Sequence, residues 1–420
     1  MRRFVFSLIA ALVVISCNES EQPLEEFYRF KGIEKFTLAE PVFKEMVIGE
    51  SLNLSPLLTV KDGFNKAVDI PKEALVFYAN NQRMGVDIFR AVTQGNYQIK
   101  AGIGNKMTNT IVVTVLPPGV YPVIKVPVIF HTVNTTLTQA QITNLLNGIT
   151  ASFRNRWRLG NDPKDVNSAD CYVEFYAAEK DPTGRILTTK GLDIVSATRS
   201  EFTSQQATSE AWNSFWEPTR YLNIWVMKIT GSYQNASWAY FPFVSKALAG
   251  LELRSSGGTP PLPLGVFLNV KHTNYIPLLA HEVGHVLGLE HVFDGNLDTF
   301  NGCTTNDPDY CADTPYYDRN AYETNIRSLQ QNRTSCNGIS YLSTNFMDYD
   351  YSYENSFTRD QRLRVRHVIS YGWWLPTPFN GAPNGRLTSP YVQKPDDYQY
   401  TPPVVCFGHL KTKKKHFNTQ

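Results

Sequence analysis

His281-Glu282-Val283-Gly284-His285-Val286-Leu287-Gly288-Leu289-Glu290-His291 is the run around which the rest of this 420-residue chain arranges itself. In a helix, positions i and i+4 share a face one turn apart, so His281 and His285 can hold one metal ion between them. Glu282 then lies beside such an ion rather than on it. Gly288 takes a backbone angle that other residues resist, which stops the helix and turns the chain sharply. His291 can swing back as a third ligand. Three neutral nitrogens with a fourth position open suit a catalytic zinc rather than a structural one. Glu282 is placed to take a proton from water activated at such a site. The helix is expected from Tyr275 to Leu287, with Ile276, Leu278, Leu279, Val283, Val286 and Leu287 giving it apolar surface. Just upstream, 265–270 reads as a strand leading into it.

The start of the chain concerns location. Arg2 and Arg3 precede an apolar core, Phe4 to Ile15, that is too short to span a bilayer and reads as a secretory signal. Cys17 follows the small Ser16, as in the lipobox of bacterial lipoproteins, where such a cysteine is lipidated. The expectation is a signal peptide over 1–16, a polar tether over 17–24 and a membrane anchor at Cys17. That describes an exported lipoprotein, with the outer membrane or cell surface as its place. Removing Arg2 and Arg3 lowers Lys+Arg from 40 to 38, equal to the 38 Asp+Glu, so the mature chain offers no charge excess for nucleic acid. With 42% hydrophobic and 13% aromatic residues the chain can fill large cores, and its length suggests two or more domains. Apart from Cys17 the cysteines are Cys171, Cys303, Cys311, Cys336 and Cys406, an odd number for an oxidising compartment. None lies between Cys17 and Cys171, so no N-terminal cysteine is available to plug the zinc.

Residues 25–118 alternate short apolar runs, such as 46–49, 74–78 and 111–115, with Gly- and Asn-rich turns, the pattern of a small all-β sandwich. It resembles, by pattern, the immunoglobulin-like domains of bacterial surface proteins. A spacer, a binding module and a removable pro-region are the roles open to it. Leu116-Pro117-Pro118-Gly119 closes it as a stiff linker.

A second domain, 119–375, opens with a doubly buried strand over 123–133. Thr138 and Gln141 form a capping box for a helix carrying Ile142, Leu145, Leu146, Ile149 and Phe153. His131 reads as a satisfied core histidine. Strands follow over 172–177 and 221–227. Ser237-Trp238-Ala239-Tyr240-Phe241-Pro242 reads equally as an ordinary edge strand or as one that pairs with an extended peptide. Thr358 and Gln361 cap a later helix, and 376–420 reads as an irregular extension ending in a basic tail. Beyond His291, Asp307, Asp309 and Asp313 are dense enough to hold calcium, or to form a solvated acidic loop.

Asn345-Phe346-Met347-Asp348-Tyr349 completes a family resemblance. The histidine run followed by a methionine turn is similar to the metzincin metallopeptidases. Within that clan 120–372 looks most like the pappalysin group, supported by 126–131, 221–225 and Asp313-Thr314-Pro315, and it also resembles bacterial zinc-dependent metalloproteinase lipoproteins. The resemblance implies an α+β domain with a mixed sheet over an active-site helix, the methionine turn forming a floor beneath the zinc. It also implies endopeptidase action on protein or peptide substrates. Met347 would pack without touching the metal, and Tyr349 would bind zinc or the oxyanion. Family pairing suggests a Cys303–Cys336 disulfide, although Cys311 stands where relatives carry an aliphatic residue. Asp350 and Glu354 are acidic near a segment that walls the S1′ pocket in relatives. A reading from another class is a surface adhesin with a vestigial metal site; chelator-sensitive cleavage separates the two.

Overall fold

The computed structural model describes residues 32–40, 44–68, 70–293, 303, 309–319, 332–349, 352–376 and 389–406. The signal segment, Cys17, Asp307, Asp350 and the basic tail lie outside them. Among the described residues no helix is long and apolar enough to cross a membrane.

The described part of the first region is built of strands and turns with two single-turn 3-10 helices, Ser55–Leu57 and Lys72–Ala74. The strands are β1 (Ile33–Leu38), β2 (Glu45–Val47), β3 (Ser51–Asn53), β4 (Leu58–Asp62) and β5 (Leu75–Ala79), then β6 (Gln82–Met84), β7 (Ile88–Arg90), β8 (Gly95–Ile103), β9 (Lys106–Met107) and β10 (Ile111–Leu116). A sheet of order β2-β10-β8-β5-β6, with β9 on β8, is joined by the pairs β1–β4 and β3–β7. Alternation along β10 turns Ile111, Val113 and Val115 into a core shared with Met46, Leu52, Phe77 and Ile99.

This region is docked against the second one. The buried Arg362 guanidinium reaches Glu50, and Asn167 accepts from the Asn53 backbone N–H. A guanidinium at that depth stays charged only with a carboxylate to meet it. Pro117 and Pro118 therefore link two bodies in contact.

The second region is α+β. Its main sheet takes β11 (Ile124–Val133), β12 (Val173–Ala177), β13 (Leu192–Val195), β14 (Leu222–Met227), β15 (Ser237–Ala239) and β16 (Val266–Asn269). After a small hairpin of β17 (Asn332–Thr334) and β18 (Ser340–Leu342), β19 (Val404–Cys406) returns to the sheet. The order is β12-β11-β14-β16-β15-β19, with β13 also on β11. All neighbours are parallel except β15, which runs antiparallel to both β16 and β19. β19 lies inside the segment expected to be irregular; three residues are too few to leave a periodic signal.

Both faces of this sheet are covered, as parallel strands require. On one face Val126, Val128, Phe130, Ile224 and Val226 pack against α1 (Gln139–Phe153) and the helix bearing the histidine run. On the other, Trp225, Phe267 and Trp238 form a ladder of stacked rings, joined by residues of α2 (Ser204–Ala211). The short α2 has its own capping box, Thr203 with Gln206. The histidine helix, α3 (Ile276–Val286), crosses α1 closely: a β-carbon on Gly148 would lie 2.5 Å from Ile276 Cδ1. Behind it stands α4 (Arg359–Tyr371), capped by Thr358 and Gln361.

Candidate metal centre

Every residue of α3 is buried, so its histidines are held by packing on all sides. Gly288 ends the helical course with φ +82°, and Leu289 N–H closes onto Gly284 O at 2.9 Å. That turn carries His291 back over the helix. The three Nε2 atoms form a near-equilateral triangle: His281 to His285 3.1 Å, His281 to His291 3.2 Å, and His285 to His291 3.2 Å.

Which nitrogen faces the centre is decided by backbone carbonyls. His281 Nδ1 lies 2.6 Å from Phe346 O, and His285 Nδ1 lies 2.7 Å from Leu289 O. A carbonyl only accepts, so each Nδ1 carries the proton and each neutral ring presents a bare Nε2 lone pair. Lone pairs converging in a buried space repel one another, and a cation between them reverses the sign. Ligand nitrogens around tetrahedral zinc, with bonds of about 2.0–2.1 Å, stand roughly 3.3 Å apart. The donors therefore fit a zinc ion. Among the described residues these three histidines are the group of His, Cys, Asp or Glu close enough to share one.

Glu282 is fully buried, one residue from His281. Tyr349 sets its ring edge-on to His291, with centroids 4.7 Å apart, and Phe293 stacks flat on the same histidine at 4.8 Å. Met347 lies under the helix: a β-carbon on Gly284 would come within 2.6 Å of its sulfur. The glycine between the two helical histidines thus makes room for the methionine.

Several supports have no local signature in sequence. Asp348, fully buried, accepts from the Tyr317 hydroxyl at 2.7 Å and from Tyr349 N–H, with Ser343 and Arg333 also upon it. It pins the turn that carries Phe346 O, Met347 and Tyr349. Arg364 of α4 directs Nε (3.1 Å) and Nη2 (2.9 Å) onto Gly288 O, clamping the turn before His291. Replacing Arg364 with methionine should keep the fold while weakening zinc binding about 10–100-fold, the usual cost of losing an outer-shell support. Competition titration against a chromophoric chelator measures it; unchanged affinity would show that the clamp is dispensable.

The remaining sequence candidates sort by place. Cys303 and Cys336 are joined as a disulfide, with Cα atoms 5.1 Å apart, while Cys171 and Cys311 are buried thiols. Asp313 turns inward to Arg359 and the Asp360 N–H, and Asp309 accepts from Thr314 and the Cys311 N–H. Burial, then the neighbouring Asp313, pushes the Asp360 carboxyl up to about 7. Glu354 meets the Tyr275 hydroxyl. His131 is buried between Asp193 and Asn223, at 2.8 Å from each, far from any metal role. Asn223 can satisfy it because its amide is itself held by Trp216 and Tyr221 carbonyls.

Residues 205–370 match the family model described as pregnancy-associated plasma protein-A. That segment contains the whole histidine cluster, Met347 and Tyr349. Residues 205–370 are thus similar to the pappalysin-type metzincin metallopeptidases. An extracellular metalloprotease of Sordaria macrospora is 39% identical over 101 residues, 23% of this chain. The match spans only 29% of that relative's length. Among solved structures, the chain is similar to Tannerella forsythia mature mirolysin in complex with a cleaved peptide, at 24% identity and TM-score 0.46, covering 59% of this chain and 92% of that one. It is also similar, over 20% of each chain, to the N-terminal part of the bacterial S-layer protein SbsC, at 15% identity and TM-score 0.16.

Proposed function

We propose that this protein is a metallopeptidase, a zinc-dependent endopeptidase that cuts extracellular proteins or peptides. His281, His285 and His291 hold the metal, and Glu282 is the general base. The observation that carries this reading is the buried triangle of Nε2 atoms 3.1–3.2 Å apart, beside the carboxylate of Glu282. Zinc, when bound, supplies Lewis acidity that makes a water molecule nucleophilic near neutral pH and polarises the scissile carbonyl.

The protein's own groups do the rest. Phe346 O and Leu289 O keep His281 and His285 in the tautomer whose Nε2 can donate to metal. Glu282 accepts the proton of the attacking water on a carboxylate oxygen and returns it to the departing amine nitrogen. The Tyr349 hydroxyl is assigned to the oxygen of the tetrahedral intermediate, a contribution of about 2.7–4 kcal/mol for donors of this kind. Met347 packs beneath the helix and does not touch the metal. Of the acidic candidates for calcium, Asp309 and Asp313 already accept from protein donors, and Asp307 lies outside the described residues.

Cys17 is assigned as a lipidated anchor holding the enzyme to the outer membrane or cell surface, and 25–118 as an immunoglobulin-like spacer. The test is a mixed peptide library incubated with the purified chain and read by mass spectrometry. Cleavage that stops with a chelator and returns with zinc is the expected result. A library that stays intact under all conditions would overturn the proposal and favour the adhesin. Zinc at about 100 times its dissociation constant should also raise stability by roughly 2.7 kcal/mol, seen as a higher Tm.

A further inference from the structure

The sheet edge beside the histidines is already occupied. β15 is antiparallel to β16 on its inner side and to β19 on its outer side, in the register Ser237 to Cys406, Trp238 to Val405 and Ala239 to Val404. Beyond Ala239 the chain runs through Tyr240 to Phe241, whose ring stands edge-on to His285 with centroids 5.2 Å apart. The C-terminal segment follows the same path in reverse: Tyr240 donates its hydroxyl proton to Thr401 O at 2.9 Å. Residues 401–406 thus run along the edge that leads to the metal centre, with 404–406 paired to it as a strand.

An outer edge offers backbone N–H and C=O groups with no side-chain requirement, which is how extended peptides are captured by sheets. We infer that residues 401–406 are a resident occupant of the outer edge of β15, competing from within the same chain with an extended peptide substrate for that edge. This rests on the endopeptidase reading. The strand is delivered by separate contacts upstream. Val392 N–H bonds to Phe215 O at 2.9 Å, the Tyr398 ring meets Trp212 edge-on, and the Tyr400 hydroxyl lies 3.0 Å from Ser204 Oγ. These contacts keep the strand at high local concentration, yet β19 itself pairs over only three residues. An edge closed most of the time lowers the apparent affinity for substrate by the fraction open, so an edge open about one-tenth of the time costs about tenfold.

The test compares the full chain with one ending at Tyr400, which retains the upstream contacts and lacks the strand. The probe is a fluorescein-labelled synthetic peptide of residues 398–406, titrated by anisotropy into both forms in a Glu282→Gln background. The shortened form should bind it about tenfold more tightly, and amides of Ser237–Ala239 should exchange faster there than in the full chain. In the active background the shortened form should cleave casein with a KM about tenfold lower and kcat little changed, and unlabelled 398–406 peptide should inhibit it competitively. If shortening costs the fold, Val405→Pro in the full chain removes the N–H at the middle of β19 and should produce the same gains. Equal peptide affinity and equal KM in folded forms would overturn the inference while leaving the protease intact. Tighter peptide binding with no cleavage by either form would instead sink the endopeptidase reading and keep the edge assignment.

Discussion

Glu282→Ala should abolish proteolysis while leaving zinc binding and the fold in place. The side chain is wholly buried on a helix whose every residue is packed, and its neighbours His281 and His285 are each oriented by a backbone carbonyl, Phe346 O and Leu289 O. Removing it therefore takes away the proton acceptor without disturbing the metal-binding nitrogens. General base catalysis contributes about 10²–10⁴-fold, so turnover of casein or gelatin should fall by at least that lower figure. The paired measurements are a cleavage assay and metal content by atomic absorption. Substantial cleavage by a zinc-loaded mutant would remove Glu282 from the mechanism.

Gly288→Ala should cost the most in stability for the smallest change in atoms. The backbone there has φ +82°, a conformation that penalises a β-carbon by roughly 1–2 kcal/mol. The added carbon would also stand 2.6 Å from Val368 Cγ2 and 3.0 Å from Leu251 Cδ1, in a core with little room to yield. Overpacking of this kind costs about 1–3 kcal/mol, for a combined loss of roughly 2–5 kcal/mol. The same turn aims His291, so zinc affinity should fall together with Tm. Differential scanning calorimetry with and without zinc checks both, and a mutant with Tm and zinc shift equal to those of the parent would contradict the account.

Much of the centre was legible before any coordinates, and the reason is locality. His281 and His285 share a face because the helical repeat puts i and i+4 together, whatever lies around them. The capping boxes of Thr138 with Gln141 and Thr358 with Gln361 are likewise visible, since each closes within a single turn. Other features have no such signature. Arg364 reaches Gly288 O across 76 positions, and His281 finds Phe346 O across 65. A backbone carbonyl carries no side-chain identity, so nothing in the residues at either end announces the pairing. Asp348 could be read only as the residue after a methionine, although it ties Tyr317, Ser343 and Arg333 to the turn. Composition misled at the C-terminus, where Pro and Tyr suggested irregular chain and the backbone of 404–406 nonetheless completes a sheet.

By itself, then, the order of residues determined that His281 and His285 share a helical face with Glu282 beside them, that a turn follows at Gly288 and that a methionine stands downstream, because each depends on spacing within a few residues or on residue type alone. Only the tertiary structure decided that His291 closes a triangle with the other two at 3.1–3.2 Å, that Nε2 rather than Nδ1 faces inward, and that the edge of β15 is already paired. Those outcomes depend on backbone groups brought together from distant parts of the chain by the burial of two packed sheet faces, and hydrogen bonds between main chains leave no mark in the sequence that makes them.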